Sequence, residues 1–232
     1  MLYFYQPDID QGILKLTDEE HQHCTKVLRK VEGDQIGIFD GKGGKYSARL
    51  TSISKKESSF AIEESEQVAP KSFYCHIAIA PTKNTDRIEW FVEKACELGI
   101  DEISFILTCN SERSKLRIDR LEKKAISALK QSKSGFLTRI NELVKFKDFV
   151  NQPNQDEKFI AVVEDNLPYL STVLSAKTPI TLMIGPEGDF SPEEVQVAVT
   201  CGYQKISLGQ SVLRTETAGL MACHFVNVAN QF

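Results

Sequence analysis

At 232 residues, with 41% hydrophobic and 26% charged positions, the chain has ordinary globular composition and enough apolar material for one large domain or two modest ones. No apolar stretch approaches the ~18 residues needed to cross a bilayer, and the opening MLYFYQPDID lacks the basic and apolar regions of a signal peptide, so a cytoplasmic protein with no membrane partner is expected. The formal net charge of −4 speaks against a nucleic-acid partner until it is resolved along the chain: residues 24–56 hold eight basic residues against three acidic ones, and residues 111–147 hold eleven against four.

The first 70 residues read as β-rich, with strands expected over Leu2 to Tyr5, Gly12 to Leu16, Gln35 to Phe39, Lys45 to Ile53 and Phe60 to Glu64. Asp40-Gly41-Lys42-Gly43-Gly44 supplies residues that tolerate positive φ, which is a hairpin signal. Thr17-Asp18-Glu19-Glu20 is a T-x-x-E capping box that opens one helix through His23, Val27 and Leu28. In it His23, Lys26 and Arg29 are spaced to form a basic ridge able to touch phosphates. A short acidic stretch ends at Ala69-Pro70, where the domain boundary is placed.

From Ser72 the pattern alternates strands with helices, which predicts an α/β domain with a parallel sheet. Strands are expected over Tyr74 to Ala80, Ile103 to Leu107, Phe159 to Val163, Ile180 to Ile184 and Lys205 to Leu208. A D-x-x-E box at Asp86 and Glu89 opens a helix that stops at Gly99. Ser191-Pro192-Glu193-Glu194 combines a serine cap, a proline in the first turn and a returning glutamate, and predicts a helix ending near Gly202. A last helix begins near Thr215.

Two stretches each join a strand to a helix through a glycine-containing loop: ITLMIGPEGDFSPEE (180–194) and KISLGQSVLRTETAG (205–219). Such junctions let a ligand approach the backbone and face the free N–H groups of a helix start. Ligands of open α/β sheets bind at the carboxyl ends of strands, so two such loops suggest one shared pocket, although each alone is also an ordinary strand-to-helix turn. No dinucleotide, nucleoside-triphosphate, G-x-S-x-G or H-E-x-x-H motif is present. Glu187 and Asp189 in the first loop would repel a pyrophosphate and suit a cationic ligand, such as a sulfonium adenosyl donor.

The six cysteines (Cys24, Cys75, Cys96, Cys109, Cys201 and Cys223) form no CxxC pair and read as reduced, mostly buried thiols. His21, His23, His76 and His224 share no spacing suited to a ligand set, so no metal is expected.

IGPEGDFS followed at a short interval by SLGQSVLRTETAG resembles the paired C-terminal signature of RsmE-type SPOUT RNA methyltransferases. HCTKVLR with FDGKGGKY is similar to that family's N-terminal RNA-binding unit, PTKNTDRIEWFVEKACELG to its first α/β turn, and NSERSK with LKQS and Arg139 to its central region. The resemblance covers nearly the whole chain. It implies a PUA-like or OB-like β-barrel over residues 1–70 that binds RNA, and over 71–232 a SPOUT methyltransferase domain, α/β with a trefoil knot and a parallel sheet. It further implies S-adenosylmethionine as cofactor, N3 of a uridine in 16S ribosomal RNA as target, and a homodimer.

On this reading Ile184, Gly185, Gly188, Leu208, Gly209, Leu213, Thr215 and Ala218 bind the cofactor. Lys83, Arg113 and Arg139 join His23, Lys26 and Arg29 in binding RNA. Arg214 and Glu187 are the catalytic candidates: a guanidinium near the base would favour the N3 anion. A purely structural Arg214 would instead pair with Glu187 or Glu216, and Glu216 is expected to stabilise the start of the last helix. The family's GPEGG stands here as Gly185-Pro186-Glu187-Gly188-Asp189, and the extra carboxylate is expected to point to solvent or to cap the helix near Ser191. A non-catalytic RNA-binding assembly factor is the alternative function, and the intact glycine loops count against it.

Overall fold

The computed structural model describes residues 1–231 and divides into two compact units. Residues 1–70 with 126–137 form the first, and residues 71–125 with 138 onward form the second.

The first unit carries a four-stranded sheet in the order β1-β2-β3-β4, made of β1 (Tyr3–Tyr5), β2 (Gln35–Phe39), β3 (Gly44–Ile53) and β4 (Ser58–Gln67). β1 pairs with β2 in parallel, and the other pairs are antiparallel. Phe4, Ile36, Ile38, Leu50 and Phe60 fill its core. The Asp40 carboxylate closes the β2–β3 hairpin by accepting from Lys42 N at 2.7 Å and Gly44 N at 2.8 Å. The strand expected over Gly12–Leu16 does not form. Ile9–Gln11 turns as a 3-10 helix that ends on Gly12 with φ 79°, and Asp8 O takes the Ile13 N–H, which leaves only Lys15 to bridge Ser59.

Helix α1 (Asp18–Gln22) is capped by Thr17, whose side chain accepts from Glu20 N at 3.4 Å. The reciprocal half of the expected box is absent, because the buried Glu20 carboxylate accepts instead from Tyr5 N at 3.3 Å and Lys130 Nζ at 2.6 Å. The chain continues as a π-helical turn over His23–Val27, and Arg29 then takes a left-handed φ of 53°. Such irregular turns are concentrated at functional positions.

The second unit is a six-stranded parallel sheet in the order β10-β8-β9-β5-β6-β7. Its strands are β5 (Cys75–Ile79), β6 (Glu102–Leu107), β7 (Arg139–Lys145), β8 (Glu157–Ala161), β9 (Ile180–Ile184) and β10 (Gln204–Ile206). β5 and β9 are buried along their whole length, as strands covered on both faces must be. Helix α2 (Thr85–Glu97) lays Ile88, Phe91, Val92 and Ala95 against the core. Its cap is Asn84, whose side chain accepts from Asp86 N at 2.9 Å, and not the D-x-x-E box: Glu89 pairs with Arg120 at 2.8 Å.

Helices α3 (Ile118–Ser132), α4 (Phe146–Val150), α5 (Leu170–Val173), α6 (Pro192–Thr200) and α7 (Thr215–Ala229) follow. α6 has the complete capping box: Ser191 Oγ accepts from Glu194 N at 3.1 Å and Glu194 Oε2 from Ser191 N at 3.0 Å. α7 packs on α2, β5 and β9. Gly219 permits this approach, since a Cβ there would lie 2.6 Å from Phe91 Cε2 and 3.0 Å from Ile79 Cδ1.

Candidate active site

The carboxyl ends of β8, β9 and β10 are neighbours in the sheet, so the loops that leave them converge. Between them lies a cavity of roughly 1110 Å³, slightly above the usual range for small-molecule sites of about 300–1000 Å³. Ile184, Gly185 and Glu187 from the first glycine loop line it together with Leu208, Gly209, Leu213, Arg214, Thr215 and Ala218 from the second. Gly209 has φ 148° and forms a tight turn in which Ser207 Oγ accepts from its N–H at 3.2 Å. Gly188 stands apart from the other cofactor candidates: it is exposed, does not line the cavity, and its carbonyl accepts from Asn110 Nδ2 at 3.1 Å.

The third wall, residues 161–167 with Tyr169, was not foreseen from the sequence. It contains no glycine, the signal that marks the other two loops. It is joined to the second loop by a bridge between Tyr169 and Ser207 and to β10 by an ion pair between Glu164 and Lys205 at 2.6 Å. Asp189 also lines the cavity, and it neither points to solvent nor caps α6. It takes the left-handed conformation, φ 58°, that a glycine would adopt freely, and its carboxylate accepts from Phe190 N at 2.8 Å and Val163 N at 3.0 Å. Two backbone donors thus hold the extra charge in place.

Arg214 is exposed at the cavity edge, and its guanidinium makes no ion pair or hydrogen bond among the described residues. Its expected structural partners are engaged elsewhere. Glu216, buried in the first turn of α7, lies 3.7 Å from Arg87, and the exposed Glu187 accepts from Lys83 N at 3.2 Å. Four carboxylates (Glu164, Asp165, Glu187 and Asp189) and one guanidinium line the cavity, a balance that favours a cationic ligand.

The remaining basic candidates separate. In the first unit, His23 stands at the start of the π-helical turn, 3.8 Å from Glu20, while Lys26 and Arg29 are exposed without ion pairs among the described residues. In the second unit, Lys83 pairs with Glu112 at 2.8 Å, which raises the pKa of its ammonium. The Arg113 guanidinium donates through Nε and Nη2 to the carbonyls of Thr82 and Lys83, the shortest bond being 2.6 Å, which ties it to the loop before α2. Arg139 opens β7, at the amino ends of the strands and away from the cavity. No group of three or more His, Cys, Asp or Glu among the described residues is placed to hold a metal ion. No helix among them is long and apolar enough to cross a membrane.

The chain matches the RNA methyltransferase domain family over residues 69–227 and the RNA methyltransferase PUA domain over residues 16–63. It is 37% identical to a crystal structure described as a probable rRNA-methyltransferase from Porphyromonas gingivalis, covering 100% of this chain and 99% of that one with a TM-score of 0.91. It is 26% identical to ribosomal RNA small subunit methyltransferase E from Neisseria gonorrhoeae, solved bound to S-adenosyl methionine, with 99% and 98% coverage and a TM-score of 0.86. A curated relative, ribosomal RNA small subunit methyltransferase E of Rickettsia conorii, is 28% identical over 218 residues, 90% of this chain and 87% of the relative.

Proposed function

Because the chain belongs to the RNA methyltransferase family, we propose that it methylates N3 of one uridine in 16S ribosomal RNA, using S-adenosylmethionine, as a cytoplasmic homodimer. The observation that carries this reading is the single cavity that both glycine loops share at the carboxyl ends of β8, β9 and β10. The cavity fits the donor in size and in chemistry: Ile184, Leu208, Leu213 and Ala218 offer apolar contact for an adenosyl group, and Gly185 and Gly209 leave backbone accessible. The carboxylates suit a sulfonium. When bound, S-adenosylmethionine supplies an electrophilic methyl group.

The protein's own task is to present the acceptor. Uridine N3 holds a weakly acidic proton and is a poor nucleophile until that proton leaves. Arg214, whose guanidinium has no partner among the described residues, stabilises the N3 anion by its charge, and Glu187, exposed in the same cavity, accepts the N3 proton. Residues 1–70 grip the RNA, with His23 and Lys26 on the π-helical turn and Arg29 just beyond it offered to the phosphates.

Titration calorimetry with S-adenosylmethionine tests the cavity, and absence of binding at millimolar donor sinks the enzyme reading. Mass spectrometry of 16S ribosomal RNA from a deletion strain tests the target. Loss of a single 3-methyluridine, restored by the gene, is the expected result, and an unchanged modification profile overturns it.

A further inference from the structure

The third wall of the cavity is held by polar contacts, among them the Glu164–Lys205 ion pair at 2.6 Å and the Val162 N–H to Ile206 O at 3.2 Å. Residues 163–166 are all exposed, Val163 by 68%, so no apolar burial fixes this stretch. Its far end is tied to the second glycine loop, where Ser207 N donates to Pro168 O and Leu170 N to Ser207 O, both at 2.9 Å. At its near end the Val163 N–H reaches the Asp189 carboxylate at 3.0 Å, across 26 residues of chain.

Asp189 is itself anchored on every polar atom. Its N–H donates to Pro186 O at 3.0 Å, its carbonyl accepts from Asn110 Nδ2 at 3.0 Å, and its second carboxylate oxygen accepts from Phe190 N at 2.8 Å. The loops after β6, β8 and β9 therefore meet at one residue. Hydrogen bonds from backbone N–H to an ionised carboxylate are the strong kind, and they hold both partners in one orientation.

We propose that Asp189 is a positioning residue for the methyl donor: its carboxylate clamps the 163–167 wall to the loop after β9 and keeps the cavity at the width that binds S-adenosylmethionine. The proposal rests on the reading of this cavity as the donor site. Asp189 acts through Val163 and the wall, and it contributes geometry in preference to a step of the reaction.

Asp189→Gly is the informative change, because glycine accepts φ 58° without strain and removes only the carboxylate. Losing a hydrogen bond to a charged group corresponds to roughly a 10- to 150-fold change in the equilibrium it governs, so donor affinity by calorimetry should weaken about tenfold or more. The turnover number at saturating donor should stay within about twofold, as expected for uniform binding that is lost equally in ground and transition states. In the ligand-free protein, hydrogen exchange at the Val163 amide should accelerate about tenfold or more. Asp189→Asn, which keeps the shape and one acceptor oxygen, should fall between the two and serves where the glycine variant folds poorly.

Donor affinity within about twofold of the wild type, unchanged exchange at Val163, or a loss confined to turnover would each overturn the clamp. Failure of the wild type to bind the donor would overturn the functional reading instead, and the Val163 exchange would still report on the clamp.

Discussion

Replacing Arg214 by glutamine separates chemistry from stability, because the two should move in opposite directions. Arg214 is the N-cap residue of α7, with an extended backbone (φ −68°, ψ 152°) open to any side chain, and its guanidinium neither caps the helix nor pairs with a carboxylate among the described residues. A cation at a helix N-terminus works against the macrodipole by about 0.3–1 kcal/mol, so glutamine should leave stability unchanged or raise it by a few tenths. Donor affinity should stay within a few-fold, since the apolar residues and loop backbone around the cavity are untouched. Single-turnover methylation should nevertheless fall about 100-fold or more, the scale of deleting one preorganised electrostatic contact, or about 2.7–4 kcal/mol. Raising the pH should restore part of the rate by increasing the fraction of uridine already deprotonated at N3. Lysine at this position should recover less than its charge suggests, because it lacks the planar donor fork. Wild-type turnover in Arg214→Gln, or loss of donor binding, would refute the assignment.

Three further outcomes are expected. Neutralising Lys26 and Arg29 together should weaken RNA binding and reduce the salt slope by about 1.4–1.8 for two lost phosphate contacts, with donor affinity intact; an unchanged slope would remove the π-helical turn from the RNA surface. Gly219→Val should destabilise by about 2 kcal/mol or more in denaturant melts despite valine's better helix propensity, because the space beside the fully buried Phe91 is already filled; a neutral result would mean α2 and α7 can separate freely. Burial holds the His76 imidazole pKa below its ordinary value of 6.5, against the opposing pull of Glu102 and Asp156. The unfolded chain therefore takes up a proton that the folded site resists, so this stabilisation is complete above pH 6.5 and declines as the pH falls below it. His76→Gln should flatten that part of the stability profile, and an identical acid slope in the two proteins would contradict the sign.

How much of this was legible in the sequence follows the range of the interactions concerned. β2 and β9 match their expected bounds, and the Ser191 box and the start of α7 stand where their local signals placed them. Each depends on residues within one turn of its own position. β7 escaped because Arg139–Lys145 is an edge strand carrying charges at both ends and a mixed interior, with none of the continuous apolar run that reveals a central parallel strand. In α3 three lysines and Arg120 mask the helix behind its charge, although Leu121, Ala125, Ala128 and Leu129 form a buried stripe at helical spacing.

Charge counting has the same blind spot at Arg113. The count registers its charge alone, and the fold adds hydrogen bonds from its Nε and one terminal nitrogen to two carbonyls some 30 residues back along the chain. The cavity shows where local reading ends. Two of its walls announce themselves by glycines, and the third is brought to them only because β8 lies between β10 and β9, a strand order that no local pattern encodes. Asp189 is visible in the sequence as a carboxylate where the motif it resembles carries glycine; that it binds Val163 follows from that strand order. A residue that departs from its family's motif is therefore best interpreted through the sheet neighbours of the strand that carries it, since those neighbours decide which backbone group the new side chain can reach.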